Sequence, residues 1–206
     1  MSLSIRDRKS APILLALLGA CLGLMLLAGT ARAACNYPNA EQVFSEYADY
    51  AYYELAPDGG FEGGGTGWEF TGGAQLVTGS QTETLNDTPD QVELSLPFGA
   101  SAISPRVCVD ETTPQFRLMT INSGKKDTKL KIKVMYEFVK PDGKLETKNK
   151  DFEIRAANAW APSEPLELKT DHEQERVARI AFTPKEKEGI WLIDDLYIDP
   201  WVNRIG

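Results

Sequence analysis

The amino-acid sequence predicts an exported all-β domain, a sandwich or barrel built around one hydrophobic interior. Three observations carry this. In residues 130–139, Leu130, Ile132, Val134, Tyr136 and Phe138 alternate with Lys131, Lys133, Met135, Glu137 and Val139, which is the period of a strand with one buried face and one wet face. About ten short segments of strand type recur, separated by Gly, Pro, Asn and Asp turns, the pattern of sandwiches and barrels. Beyond residue 33 no segment sustains helical periodicity, and there is no internal repeat or low-complexity tract.

The chain opens on Arg6, Arg8 and Lys9, runs through a leucine-rich apolar stretch over 11–28, and reaches Ala31-Arg32-Ala33. A basic start, an apolar stretch and an Ala-x-Ala site, in that order, read as a secretory signal cut after Ala33. The apolar run of about 18 residues is near the lower limit for a spanning helix, so an uncleaved anchor is the competing reading. The small-residue site standing where cleavage needs it favours the signal. Cleavage leaves residues 34–206 as a single domain, secreted or associated with the cell envelope, large enough for a real core. It removes four basic residues (Arg6, Arg8, Lys9, Arg32) and one acid (Asp7), leaving 18 basic and 29 acidic, a balance of −11 against −8 for the whole chain. That charge keeps a monomer soluble and argues against nucleic acid or an anionic membrane as a partner. Of three cysteines, Cys21 leaves with the signal. An exported domain with two cysteines most simply pairs them, so Cys35–Cys108 is expected, closing a loop of about 74 residues worth about 4 kcal/mol.

Residues 36–53 are rich in tyrosine and read as a short helix over 40–50 or an irregular N-terminal arm. A first strand over 52–55 stops at Pro57-Asp58-Gly59-Gly60, which is turn chemistry. Six glycines between 59 and 67 make a loop. Strands are expected at 67–70, 74–78, 91–96, 102–109 and 115–122. The long strand at 130–139 turns at Pro141-Asp142-Gly143 into a partner over 144–155, with Phe152 and Ile154 inward. Leu166 and Leu168 suggest another strand, 177–183 puts Ala178, Ile180 and Phe182 on one face, and 190–199 closes the domain.

In that last strand Leu192, Asp194, Leu196 and Ile198 share a parity, the expected core face, and Asp195 lies on the opposite, solvated one. A carboxylate among aliphatics needs a hydrogen-bonded network or a cation. Outside the cell calcium is the natural hard cation, and Glu62, beside the glycine loop, is placed to give a second ligand. A metal-free polar network around Asp194 is the alternative.

These two ends also carry a resemblance. Gly60-Phe61-Glu62 followed by Gly67-Trp68, with Ile193-Asp194-Asp195 at the end, resembles the carbohydrate-binding modules of the galactose-binding-like jelly-roll fold. The resemblance implies a jelly-roll β-sandwich in which Glu62 and Asp194 help hold a structural calcium, with a glycan as the possible partner. Together with Ser104-Pro105-Arg106-Val107-Cys108-Val109 and the closing Trp191 strand, the chain from Cys35 to Trp201 also resembles a group of short exported actinobacterial proteins.

No catalytic set stands out. Glycoside hydrolysis needs two carboxylates at a controlled separation, and no acid pair is set apart by a motif. The only histidine, His172, sits in a charged surface stretch, where a solvated role outweighs a catalytic one. Sugar binding needs aromatic faces with polar neighbours. Trp68 and Trp191 read as core, Trp201 as a cap, and Trp160, in the loop-like 156–162, as the ligand platform. A sugar-binding module predicts an open groove on one sheet with exposed aromatics, and a smooth charged face counts against it. A structural or protein-interaction domain of the envelope predicts an exposed apolar patch outside any groove.

Overall fold

Strands form where the alternation predicts them. A computed structural model describes residues 35–81, 85, 91–110, 112–124, 127–140, 142–155, 158–168 and 176–200. In chain order these give β1 (Glu54–Leu55), β2 (Glu69–Thr71), β3 (Gln75–Thr78), β4 (Val92–Leu96), β5 (Ser101–Ile103), β6 (Val107–Val109), β7 (Gln115–Asn122), β8 (Lys129–Val139), β9 (Leu145–Arg155), β10 (Ala161–Pro162), β11 (Leu166–Glu167), β12 (Arg176–Pro184) and β13 (Trp191–Asp199). The architecture is a jelly-roll β-sandwich of two antiparallel sheets with a short N-terminal arm. The seven-stranded sheet runs β10-β7-β13-β4-β3, with β1 beside β13 and β11 beside β7. The six-stranded sheet runs β2-β5-β12-β8-β9, with β6 beside β12. His172, Trp201, Pro141 and residues 1–33, where the signal is expected, lie outside the described residues.

Alternation decides which side chains meet between the sheets. Leu130, Ile132 and Val134 of β8, and Ala178, Ile180 and Phe182 of β12, are fully buried in the main core. Phe152 and Ile154 of β9 pack on it from the edge. Trp68 closes one end, stacked near Phe70 and Phe182 and tilted against Phe61, while its indole N–H donates to the Asp58 carbonyl at 3.0 Å. Each large side chain buried here contributes about 1.5–3 kcal/mol. Gly72 has φ of 62°, and a Cβ there would lie 2.1 Å from the Gly99 carbonyl oxygen, so the β4–β5 turn approaches as closely as it does only because residue 72 has no side chain.

The strand expected over 102–109 is split. Ser104-Pro105-Arg106 leaves the ladder, because proline has no N–H to give it. Ser104 instead bridges to β12, donating its N–H to the Ile180 carbonyl and accepting the Ile180 N–H on its hydroxyl. Both halves, β5 and β6, pair with β12. The two-residue β10 was not foreseen; its Ala161-Pro162 lacks any strand-like run.

The parity assigned to the last strand fails at its middle. Trp191, Ile193, Leu196 and Ile198 enter the main core, whereas Leu192 and Tyr197 join a second cluster. A bulge between Asp194 and Tyr197, with Asp195 in the left-handed region at φ 53°, shifts the register by one. Asp195, expected in solvent, is consequently buried.

The second cluster joins Phe44, Tyr53, Met119, Trp160 and Tyr197. On β7, Phe116 and Leu118 face the main core while Met119 and Ile121 face this cluster, so the cluster lies on the outer face of the seven-stranded sheet. The arm covers it. Residues 40–50 form no α-helix; Ser45–Tyr47 make a single 3-10 turn, and Glu41 bridges to Tyr53. The Cys35–Cys108 disulfide ties the start of the arm to β6 across a sequence separation of 73, and the Tyr37 hydroxyl donates to the Cys108 carbonyl beside it.

Candidate functional site

Among the described residues, two broad sheet faces and a groove could meet a ligand. The outer face of the six-stranded sheet is a ladder of paired charges. Lys129 meets Glu153 and Lys131 meets Asp151, each at 3.0 Å, Arg179 meets Glu69 at 2.9 Å, and Lys185 also reaches Glu153. Lys185 first, then Lys129, holds the Glu153 carboxyl down at about 2. The large apolar side chains exposed among the described residues are Tyr50, Leu55, Phe98, Val139, Leu145 and Ile190, so this face offers no aromatic platform. This face is charged and self-paired, the kind of surface that counts against stacked sugar.

The outer face of the seven-stranded sheet is sealed by the arm, and a buried ion pair fastens the seal. Arg117 of β7 donates from Nη1 to Asp49 at 2.7 Å and from Nε to the Ser163 carbonyl at 2.9 Å, with its guanidinium 4.6 Å from the Phe44 ring centre. Asp49 also accepts the Tyr53 hydroxyl at 2.7 Å and the Ala51 N–H at 3.1 Å. Burial works to raise the Asp49 carboxyl, but the Tyr53, Ala51 and Arg117 donors outweigh it and hold the group below the usual carboxylate range. Burial first, then the Asp49 carboxylate, pushes the Tyr53 phenol far above its ordinary range. Gln115 links Tyr53 to Asp199, donating to both at 2.9 Å.

At the rim of this seal lies a groove of about 240 Å³, lined by Asn39, Glu41, Val43, Tyr53, Glu54, Leu55 and Tyr197. Arm and β1 form its two banks because Glu41 pairs with Tyr53 while Glu54 and Leu55 pair with Ile198 and Tyr197 of β13. Glu54 accepts the Asn39 N–H at 2.8 Å, which fixes one carboxylate at the mouth. Val43 and Leu55 supply the accessible apolar wall, over the buried Tyr53 and Tyr197; Asn39 and the two glutamates supply the polar edge. Sequence reading missed this site. Its glutamates belong to no motif, and only the bridge between the arm and residue 53 brings them together.

The residues singled out from sequence fall elsewhere. Trp160, expected exposed in a loop, is 9% exposed within the second cluster, because the strand it leads into, β10, docks on β7. Asp194 is fully buried, although the parity expected to bury it breaks at the bulge, and accepts the Asp195 N–H at 2.9 Å. Asp195 in turn accepts the Gln81 amide at 3.0 Å. A Cβ added to Gly60 would lie 3.5 Å from Asp195 Oδ1 and 3.9 Å from Asp194 Oδ1, so a bare backbone stands over both carboxylates. These oxygens suit a hard cation. Glu62 instead turns its Oε1 to the N–H groups of Gln91 and Val92, at 2.6 and 3.0 Å, where β4 begins. Among the described residues no group of three or more His, Cys, Asp or Glu side chains is gathered to hold a metal ion.

No protein-family profile matches the chain, and no curated protein does. Among solved structures it is similar to TmCBM61 in complex with β-1,4-galactotriose, at 16% identity over 70% of this chain and 96% of that one, with a TM-score of 0.43. It is similar to the CBM22-1 xylan-binding domain from Paenibacillus barcinonensis Xyn10C, at 10% identity over 82% and 97%, TM-score 0.44. It is also similar to the family 11 carbohydrate-binding module from Clostridium thermocellum in complex with a β-1,3-1,4-mixed-linked tetrasaccharide, at 13% identity over 71% and 95%, TM-score 0.40.

Proposed function

We propose that this chain is an exported, non-catalytic glycan-binding module, and that its sugar ring sits in the groove between the arm and β1. One observation carries the reading: an amide, two carboxylates and an apolar wall of Val43 and Leu55, backed by the buried Tyr53 and Tyr197, converge on a groove. That is the mixture a sugar needs, acceptors for its hydroxyls and a surface for its C–H face. A volume of about 240 Å³ is below the usual drug-sized pocket of about 300 Å³ and more, which fits one ring at a chain end or branch. The test is a glycan-array screen of the purified protein beside Leu55→Arg. Leu55 is 38% exposed on the groove's wall, so the arginine fills the groove and leaves the core alone. Binding that Leu55→Arg abolishes, with bound oligosaccharide recovered uncleaved, is expected. Binding that survives Leu55→Arg sinks this site.

A structural calcium belongs to the same proposal. Asp194 supplies the buried carboxylate, with Asp195 and Gln81 beside it; Glu62 joins only by giving up its two backbone donors. A second reading, a protein-interaction domain of the cell envelope, is favoured by one observation. Val139 and Leu145 face each other across the end of the β8–β9 hairpin and are 52% and 67% exposed. A concentration-dependent mass in solution that Leu145→Thr removes would support it.

A further inference from the structure

The charge of the groove selects among sugars. Resting on the glycan reading above, we infer that the ligand carries an ammonium group: an amino sugar whose nitrogen is free rather than acylated. The described residues lining the groove include two carboxylates, Glu41 and Glu54, and no lysine, arginine or histidine. On the sealed face, Arg117 already serves Asp49 and the Ser163 carbonyl. The acid at the groove thus differs from the acids of the six-stranded face, where Asp151, Glu153 and Glu69 each meet a lysine or arginine. The whole chain adds a net charge of −8, so the field around the groove attracts cations and repels uronates, sulfates and phosphates.

Glu41 is exposed and Glu54 half-buried. One Glu54 oxygen, Oε2, takes the Asn39 N–H. A neutral sugar docking there would strip water from two carboxylates and return hydroxyl-to-carboxylate hydrogen bonds alone. An ammonium makes charge-assisted bonds to the same oxygens and adds the attraction of a full opposite charge. Its aliphatic ring still covers Val43 and Leu55. No covalent step is involved; the group is held, not transformed.

A series of β-1,4-linked tetrasaccharides that differ only at position 2 tests this by isothermal titration calorimetry. The free amine is glucosamine tetraose, the acylated form N-acetylglucosamine tetraose, and the hydroxyl form cellotetraose. Titrations run at pH 6, in low and high salt. The amine form is expected to bind at least tenfold tighter than the other two. That gap should close in high salt, because the Debye length shrinks from about 30 Å at 0.01 M to about 8 Å at 0.15 M. Glu41→Gln and Glu54→Gln should each cost the amine form about tenfold and change the neutral sugars less than twofold; glutamine at 54 keeps an acceptor for Asn39. If cellotetraose binds as tightly as the amine form, glycan binding stands and the inference falls. If no tetrasaccharide or array glycan binds, both fall. Tetralysine binding tighter than the amino sugar shows that charge alone is read, and overturns the sugar assignment.

Discussion

Breaking the Arg117–Asp49 clamp should loosen the arm by an amount the structure lets us bound. Arg117→Met keeps the stem of the side chain and removes its charge. Asp49, with 18% of its side chain exposed against 7% for Arg117, is left with two neutral donors, and the Ser163 carbonyl loses its partner. Removing one member of a buried pair costs about 3–5 kcal/mol when the survivor is fully enclosed; the partial exposure of Asp49 puts the expectation at the lower end, about 3 kcal/mol. Asp49→Asn keeps an acceptor and should cost about 1–2 kcal/mol. The double variant should cost less than the two singles together, with a coupling of at least about 1 kcal/mol.

The pH dependence has a definite sign. Asp49 is held below the carboxylate range in the folded protein, while its unfolded value is about 3.9. Its contribution is therefore present above about pH 4 and is lost as pH falls through the lower folded value. Arg117→Met should flatten that part of the stability curve. Urea unfolding followed by tryptophan fluorescence reports it directly, because Trp160 sits in the cluster that the arm covers. Additivity of the two variants to within about 0.5 kcal/mol, or an unchanged acid limb in Arg117→Met, would refute the clamp.

Three further expectations follow from other parts of the domain. Replacing both Cys35 and Cys108 by serine should cost about 4 kcal/mol on the chain-entropy account of a loop this long, read as a shift in the urea midpoint; a loss under about 1 kcal/mol would show that the arm is held without the bridge. Calcium should raise the thermal midpoint, a chelator should reverse the rise, and Asp194→Asn should abolish it; a midpoint indifferent to calcium in the parent protein leaves a metal-free polar network as the right account of Asp194. The Glu153 carboxyl, followed by carbon NMR, should titrate near 2 and move up toward the ordinary range when Lys185 and Lys129 are both replaced by alanine; an ordinary value in the parent would contradict the paired ladder.

How much of this was legible in the sequence depends on how local the cause is. Strict alternation in β8 and in Ala178, Ile180 and Phe182 of β12 made those faces readable, because each residue's side follows from its neighbour's. The disulfide was readable by count. What failed was non-local or subtle. The bulge at Asp195 inverts one strand by a single left-handed residue, and an aspartate gives little warning of that. Trp160 looked exposed because its segment lacks regular pattern, yet the short β10 fixes it against β7. The groove was invisible, since Glu41 and Glu54 lie thirteen residues apart and meet only because the arm doubles back to Tyr53.

The same doubling back narrows where this sandwich can meet a ligand. A sheet has two faces, and one of each pair is spent on the shared core. Of the two that remain, the six-stranded face neutralises its own charges by cross-strand pairs, and binding there would first have to break them. The seven-stranded face would expose Met119, Ile121, Leu192 and Tyr197, and the arm is spent covering them. The arm cannot lie over the sheet without leaving an edge, and at that edge the chain places carboxylates with no lysine or arginine among the described residues of the groove. Charge beside apolar surface is costly in isolation. Under the proposal, a ligand of opposite charge offsets that cost, and Glu41 and Glu54, rather than any tryptophan, are the residues whose replacement tests it.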